Sequence, residues 1–142
     1  MILTHRQYIR FLRGGTVNVQ VVAFLPGDLA AQMPTLSTDV RIDGAYAKKL
    51  WEKHHLGHEA LGVIQSMINR GWCTKTRPNQ LDFLYVDSSG RQPKRYVLGV
   101  KSAKSGQETW LTTLHLTDEL EMRRRLSRAK QKGQMIRTAV WD

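Results

Sequence analysis

A single cysteine, Cys73, stands among the 142 residues. An internal disulfide is therefore impossible, a cysteine-based metal site has too few ligands, and a reducing compartment fits. Long apolar runs are missing too. No stretch of about 18 consecutive apolar residues occurs, so no membrane span is expected. The opening Met1-Ile-Leu-Thr-His-Arg6 has no long apolar segment before a small-residue cleavage site, so no secretory signal is expected either. Repeats and low-complexity tracts are absent. So is His-Glu-x-x-His, the spacing that zinc-binding helices use. His54, His55 and His58 do gather, but Gly57 separates His54 from His58 and no carboxylate motif accompanies them. Neither a metal nor another cofactor is expected.

Negative charge is also scarce. Twelve Asp+Glu face 22 Lys+Arg, a net charge of +10, with a pI of about 10.2. This excess favours a polyanionic partner, most often nucleic acid. An anionic membrane would instead want a basic helix with a strong apolar face. The most basic helix, 118–132, offers only Leu120, Met122, Leu126 and Ala129, a stripe better suited to docking on a sheet. Hydrophobic residues make up 41% of the chain, enough for a packed core.

The pattern along the chain predicts an α+β fold: N-terminal helices on one face of a twisted antiparallel sheet, then a basic C-terminal helix. The first twelve residues read as a short helix ending at Gly14-Gly15. Alternating Val17, Val19 and Val21 predict a strand over 16–24. A turn-rich stretch with Pro34 follows. Asp39–Asp43 is extended, and Asp43 is placed to cap a helix from Gly44 to about His55. A second helix carries Ala60, Leu61, Ile64, Met67 and Ile68 and stops at Gly71. Strands are expected at 72–76, 81–86, 95–102 and 109–116, with Pro78-Asn79 turning the first pair. Thr117 is the expected cap of the last helix, Gly133 its stop, and 136–140 a short edge strand. The layout divides into an N-terminal arm or subdomain with one strand, 1–39, and an α+β domain, 40–142, in one compact unit.

Certain residues in this layout suit RNA cleavage without a metal. The ribose 2′-hydroxyl can attack the adjacent phosphate if one group takes its proton and another protonates the leaving oxygen. Cationic or hydrogen-bonding groups must also hold the phosphate. Histidine serves proton transfer near neutrality. His54 follows Leu50 by one turn and so shares the inward face of its helix, although a half-buried structural histidine is the plainer reading. Lys101 is mid-strand and must point to the open face, because burying its charge unpaired is costly. Thr113 and His115 are two apart and share a face. Strict alternation places Leu111 with them and Trp110, Thr112, Leu114 and Leu116 on the other side. Threonine is also simply common in strands. Arg123, Arg124, Arg125, Arg128, Lys130, Lys132 and Arg137 form either a solvated face or a track for a phosphate backbone. Arg91, Lys94 and Arg95 make a second basic cluster. Of the four tryptophans, Trp51 and Trp110 read as core, and Trp72 or Trp141 as the candidates for stacking on bases.

In the order of its landmarks, the segment from Val40 to Arg137 resembles the phage-associated nuclease domains of the barnase, EndoU, colicin and RelE-like ribonuclease superfamily. Val40-Arg-Ile-Asp43 opens a helix that ends in Glu52-Lys-His-His55. Leu81-Asp-Phe-Leu-Tyr85 is a strand. Tyr96-Val-Leu-Gly-Val-Lys101 is similar to the family's strand ending in Val-Lys, and Trp110-Leu-Thr-Thr-Leu-His115 to its last strand. An arginine-rich helix and Met135-Ile-Arg137 close the segment. His55 stands where the family often has proline, and Leu114 where it has phenylalanine. The resemblance implies a metal-independent endoribonuclease, toxin-like or phage-encoded, acting on tRNA or mRNA in the cytoplasm of a bacterial, phage-infected or target cell. It implies catalytic roles for His54 (or His55), Lys101, Thr113 and His115. It implies substrate binding by Arg91, Arg95, Arg123, Arg124, Arg128 and Arg137, and an acidic immunity protein or antitoxin as a second partner. The alternatives are a non-catalytic nucleic-acid-binding protein of the same fold and an interaction protein that docks an acidic partner.

Overall fold

A computed structural model describes residues 19–35, 37–53, 60 and 62–140. Eleven elements follow in order: β1 (Val19–Phe24), α1 (Gly27–Ala30), β2 (Asp39–Asp43), α2 (Gly44–Lys53), α3 (Ile64–Arg70), β3 (Trp72–Arg77), β4 (Gln80–Asp87), β5 (Lys94–Ser102), β6 (Thr109–Thr117), α4 (Glu119–Gln131) and β7 (Met135–Arg137). The seven strands form one sheet in the order β1-β2-β6-β5-β4-β3-β7. The α+β class expected from the sequence is the one observed. The sheet departs from the expected antiparallel pattern at one pair, because β2 runs parallel to β6. The two are separated in sequence by helices and three strands, a crossover long enough for parallel pairing. The expected helix in the first twelve residues lies outside the described residues.

Both faces of the central strands are apolar, and each face has its own cover. On the inner face, Leu81, Phe83, Leu98, Val100, Leu111 and Leu114 pack with Ala47 and Leu50 of α2 and Ile64, Met67 and Ile68 of α3. Cys73 is buried there, and burial pushes its thiol up to about 12, so it stays protonated and is no nucleophile. On the outer face, Leu84 and Val97 are buried with Met122 of α4, and Trp72, Val86 and Leu126 pack around them. The sequence reading put every helix on one face. The helix α4 takes the other because alternate positions in β4 and β5 supply a second apolar patch. Arg41, Lys101, Trp110 and Thr113 belong to the same outer face but not to that patch, and they stay exposed or half-buried.

Local signals set the helix ends. Asp43 accepts from the Tyr46 N–H at 2.7 Å and caps α2. Asp118, rather than the expected Thr117, caps α4, accepting from Glu121 N–H at 2.8 Å. Thr117 is still paired in the ladder, opposite Arg95. Gly133, at φ 68°, turns the chain after α4, and β7 then adds to β3.

Candidate active site on the outer face of the sheet

The site starts from a glycine. Alternation along β5 puts Val97, Gly99 and Lys101 on the outer face. Gly99 lies between Asp82 of β4 and Thr113 of β6. A Cβ at Gly99 would sit 3.1 Å from Thr113 Cβ and 3.2 Å from Asp82 Oδ1. The missing side chain thus lets a hydroxyl and a carboxylate close in from the two neighbouring strands. The carboxylate is held at both oxygens: Thr76 Oγ1 donates to Oδ2 at 2.8 Å, and Gln80 Nε2 to Oδ1 at 3.0 Å. Lys101 is exposed and lies between Gln80 and Trp110. His115 is half-buried opposite Val97, with Nδ1 3.1 Å from the Leu116 carbonyl oxygen.

Beside this group, between α4 and the sheet, is a hollow of about 70 Å³ lined by Thr74, Thr76, Asp82, Arg125, Arg128 and Gln134, among others. Two guanidinium groups with hydroxyl and amide donors suit a phosphate. Arg125 is tied to Glu121 at 3.2 Å. Arg128 is exposed along one side.

An irregularity in β6 completes the arrangement. Gly99 pairs with Thr113, but the next residue, Val100, pairs with Leu111, leaving Thr112 as an extra residue. Such a bulge shifts the alternation by one. Leu111 therefore joins Leu114 in the core, and Trp110 moves to the outer face beside Lys101, the reverse of the strict alternation read from the sequence. The bulge is fastened from below. The Leu114 N–H donates to Tyr46 Oη at 3.0 Å. Burial pushes the Tyr46 phenol up from 10.0, and this hydrogen bond offsets part of the rise.

Lys101, Thr113 and His115 thus share one face of two adjoining strands. His54, His55, His58 and Trp141 lie outside the described residues, as does the side chain of Trp51. The helix preceding His54 buries Ala47 and Leu50 on the inner side of the sheet. Among the expected phosphate binders, Arg128 lines the hollow, Arg95 is half-buried on the outer face between Val86 and Thr117, and Arg91 and Arg124 are exposed. Arg123 pairs with Glu119. Arg137 is committed elsewhere. Its guanidinium donates to Gly71 O from Nε at 3.1 Å and Nη2 at 2.7 Å, and to Ile68 O at 2.6 Å. It also lies 5.9 Å over the Phe83 ring, so it caps the C-terminal end of α3.

Two residues were missed by the sequence reading. Asp82 had a signal, a carboxylate inside the apolar run Leu81-Asp-Phe-Leu. Trp110 had almost none, because the bulge decides its face. Among the described residues no three His, Cys, Asp or Glu side chains gather as metal ligands do, and no helix is long and apolar enough to cross a membrane. No family model matches the chain, and no curated protein or solved structure matches it significantly.

Proposed function

We propose that the chain is a metal-independent endoribonuclease and that the outer face around Gly99 is its active site. The observation that supports this reading is the close approach of Thr113 and Asp82 over the side-chain-free Gly99, on the sheet face that also carries Lys101 and His115. Lysine and threonine offer a positive charge and a hydroxyl donor to the non-bridging oxygens of a phosphate. The ribose 2′-oxygen attacks the phosphorus and gives its proton to Asp82. The bond from phosphorus to the 5′-oxygen breaks, and the imidazolium of His115 protonates that oxygen. The products are a 2′,3′-cyclic phosphate and a free 5′-hydroxyl. Arg128, with Arg125, holds a neighbouring phosphate in the hollow under α4. The substrate is cellular RNA, tRNA or mRNA, met in the cytoplasm. An acidic inhibitor or antitoxin would mask the same basic face.

The test is incubation of bulk RNA with the protein in EDTA, with Lys101→Ala, Asp82→Asn and His115→Ala in parallel. Wild type should cut, and each variant should lose about 10²-fold or more while keeping its unfolding midpoint. Intact RNA after incubation with wild type across about pH 5 to 8 overturns the reading. Tight binding of RNA without cleavage would instead leave a nucleic-acid-binding protein.

A further inference from the structure

The geometry points to Trp110 as a stacking platform for one unpaired nucleobase, which makes single-stranded RNA the substrate class of the site. The inference rests on reading the outer face as an RNA site, and it adds what that face recognises besides phosphate.

The indole has none of the marks of a core tryptophan. The bulge at Thr112 carries it to the outer face, where it is half-buried and belongs to neither apolar cluster. Its neighbours across the strands are two cations, Lys101 on β5 and Arg41 on β2. Its orientation is also fixed. Indole Nε1–H donates to Glu108 Oε2 at 3.1 Å, and Glu108 Oε1 lies 3.7 Å from Arg41 Nη1. The carboxylate thus pins one edge of the ring and is itself tied to Arg41. A large flat ring, held by its edge on an exposed face and flanked by positive charge, is what a base needs for stacking while its phosphates are neutralised alongside.

The placement matches the proposed chemistry. Trp110 is the direct cross-strand partner of Lys101, and Lys101 lies two residues from Gly99 along β5, a separation of about 7 Å. A nucleotide whose phosphate rests between Lys101 and Thr113 has its base within reach of the indole. A base inside a duplex is stacked on both faces and cannot turn onto a side chain, so a platform here selects loops and single strands. Of the two stacking candidates from sequence, Trp141 lies outside the described residues and Trp72 packs against Leu84, Val97 and Met122 under α4.

The experiment uses 2′-O-methyl oligoribonucleotides, in which the attacking hydroxyl is blocked, so that binding is read apart from cleavage. One strand carries its bases, a second is abasic throughout, and a third is the first annealed to its complement. Fluorescence anisotropy is measured for wild type, Trp110→Ala, Trp110→Phe and Lys101→Ala at one salt concentration. Trp110→Ala should weaken binding of the base-bearing strand roughly fivefold to a hundredfold and leave the abasic strand unchanged. Trp110→Phe should keep most of the affinity but lose most of the tryptophan quenching on binding. Lys101→Ala should weaken both strands, and the duplex should bind wild type less tightly than the single strand. Equal affinity of wild type and Trp110→Ala for the base-bearing strand overturns the platform, as does no binding by wild type. Unmodified RNA run in parallel separates the two ideas. Trp110-dependent binding without cleavage keeps the platform and removes the nuclease. Cleavage with binding indifferent to Trp110 does the opposite.

Discussion

At the residue scale the account turns on Gly99 and on a division among the arginines. A methyl group at Gly99 would press on Thr113 and Asp82 at 3.1 to 3.3 Å, so both must yield by a few tenths of an ångström. The backbone there is ordinary strand, which alanine adopts readily. Gly99→Ala is therefore expected to slow cleavage at least about tenfold, as misplacement of reacting groups does, with little change in the unfolding midpoint. Steady-state rates and thermal melts on the same preparation check this, and unchanged rates would detach Gly99 from the site. Arg128 and Arg137 should part in the same assays. Arg137 satisfies the carbonyls of Ile68 and Gly71, so Arg137→Ala should cost about 1.5–3 kcal/mol of stability and leave RNA affinity nearly intact. Arg128 is exposed beside the hollow, so Arg128→Ala should weaken binding and spare the fold. The sequence reading gave both the same role, Arg128 as part of the arginine-rich helix and Arg137 as the match to the family's terminal arginine. Only the partners of each side chain separate them.

At the element scale the bulge in β6 decides which residues reach the outer face of the sheet. Tyr46 holds it from the inner side through the Leu114 N–H. Tyr46→Phe leaves that N–H without its acceptor and is expected to cost about 1–3 kcal/mol. It should also loosen the positions of Trp110 and Thr113, lowering affinity for single-stranded RNA. Burial raises the phenol above 10.0 in the fold, whereas the unfolded chain ionises at its ordinary value. The folded state therefore holds this proton more tightly, and its stabilising share is lost as pH climbs past 10.0. Denaturant midpoints across that range should fall less steeply in Tyr46→Phe than in wild type. A uniform slope in both would mean that the phenol is not engaged. Most of β6 was legible in the sequence, since residues 109–116, between turns, read as a strand. The bulge was not, because alternation counted from His115 and alternation counted from Trp110 give opposite faces. The one hint was the pair Leu111 and Leu114, three apart and both apolar.

At the scale of the whole molecule, the two apolar faces of β4 and β5 explain what could be foreseen and what could not. The continuous runs Leu81 to Val86 and Tyr96 to Val100, apart from Asp82 and Gly99, are the pattern of strands covered on both sides, yet the sequence reading put every helix on one face and left the other open. The thin apolar stripe of α4 announced docking on a sheet. Nothing in either pattern says which helix takes which face, because both patches are apolar and chain connectivity decides. For the same reason the sequence does not say on which side α2 packs: it is anchored on the inner side, whereas Lys101 projects from the outer, and His54, which follows α2, lies outside the described residues. The surplus of ten positive charges should show as salt dependence. For single-stranded RNA, log affinity should fall with log salt by about 0.7 per phosphate neutralised, and Lys101→Ala should flatten the slope by about that amount. An unchanged slope would place Lys101 away from the bound strand.

The most direct measurement is the chemistry of the cut ends. RNA cleaved in EDTA by wild-type protein, and not by Lys101→Ala, should carry 2′,3′-cyclic phosphate on one fragment and 5′-hydroxyl on the other. Fragments ending in 5′-phosphate, cleavage that vanishes with EDTA, or equal cutting by Lys101→Ala would contradict a site built on the outer face of this sheet.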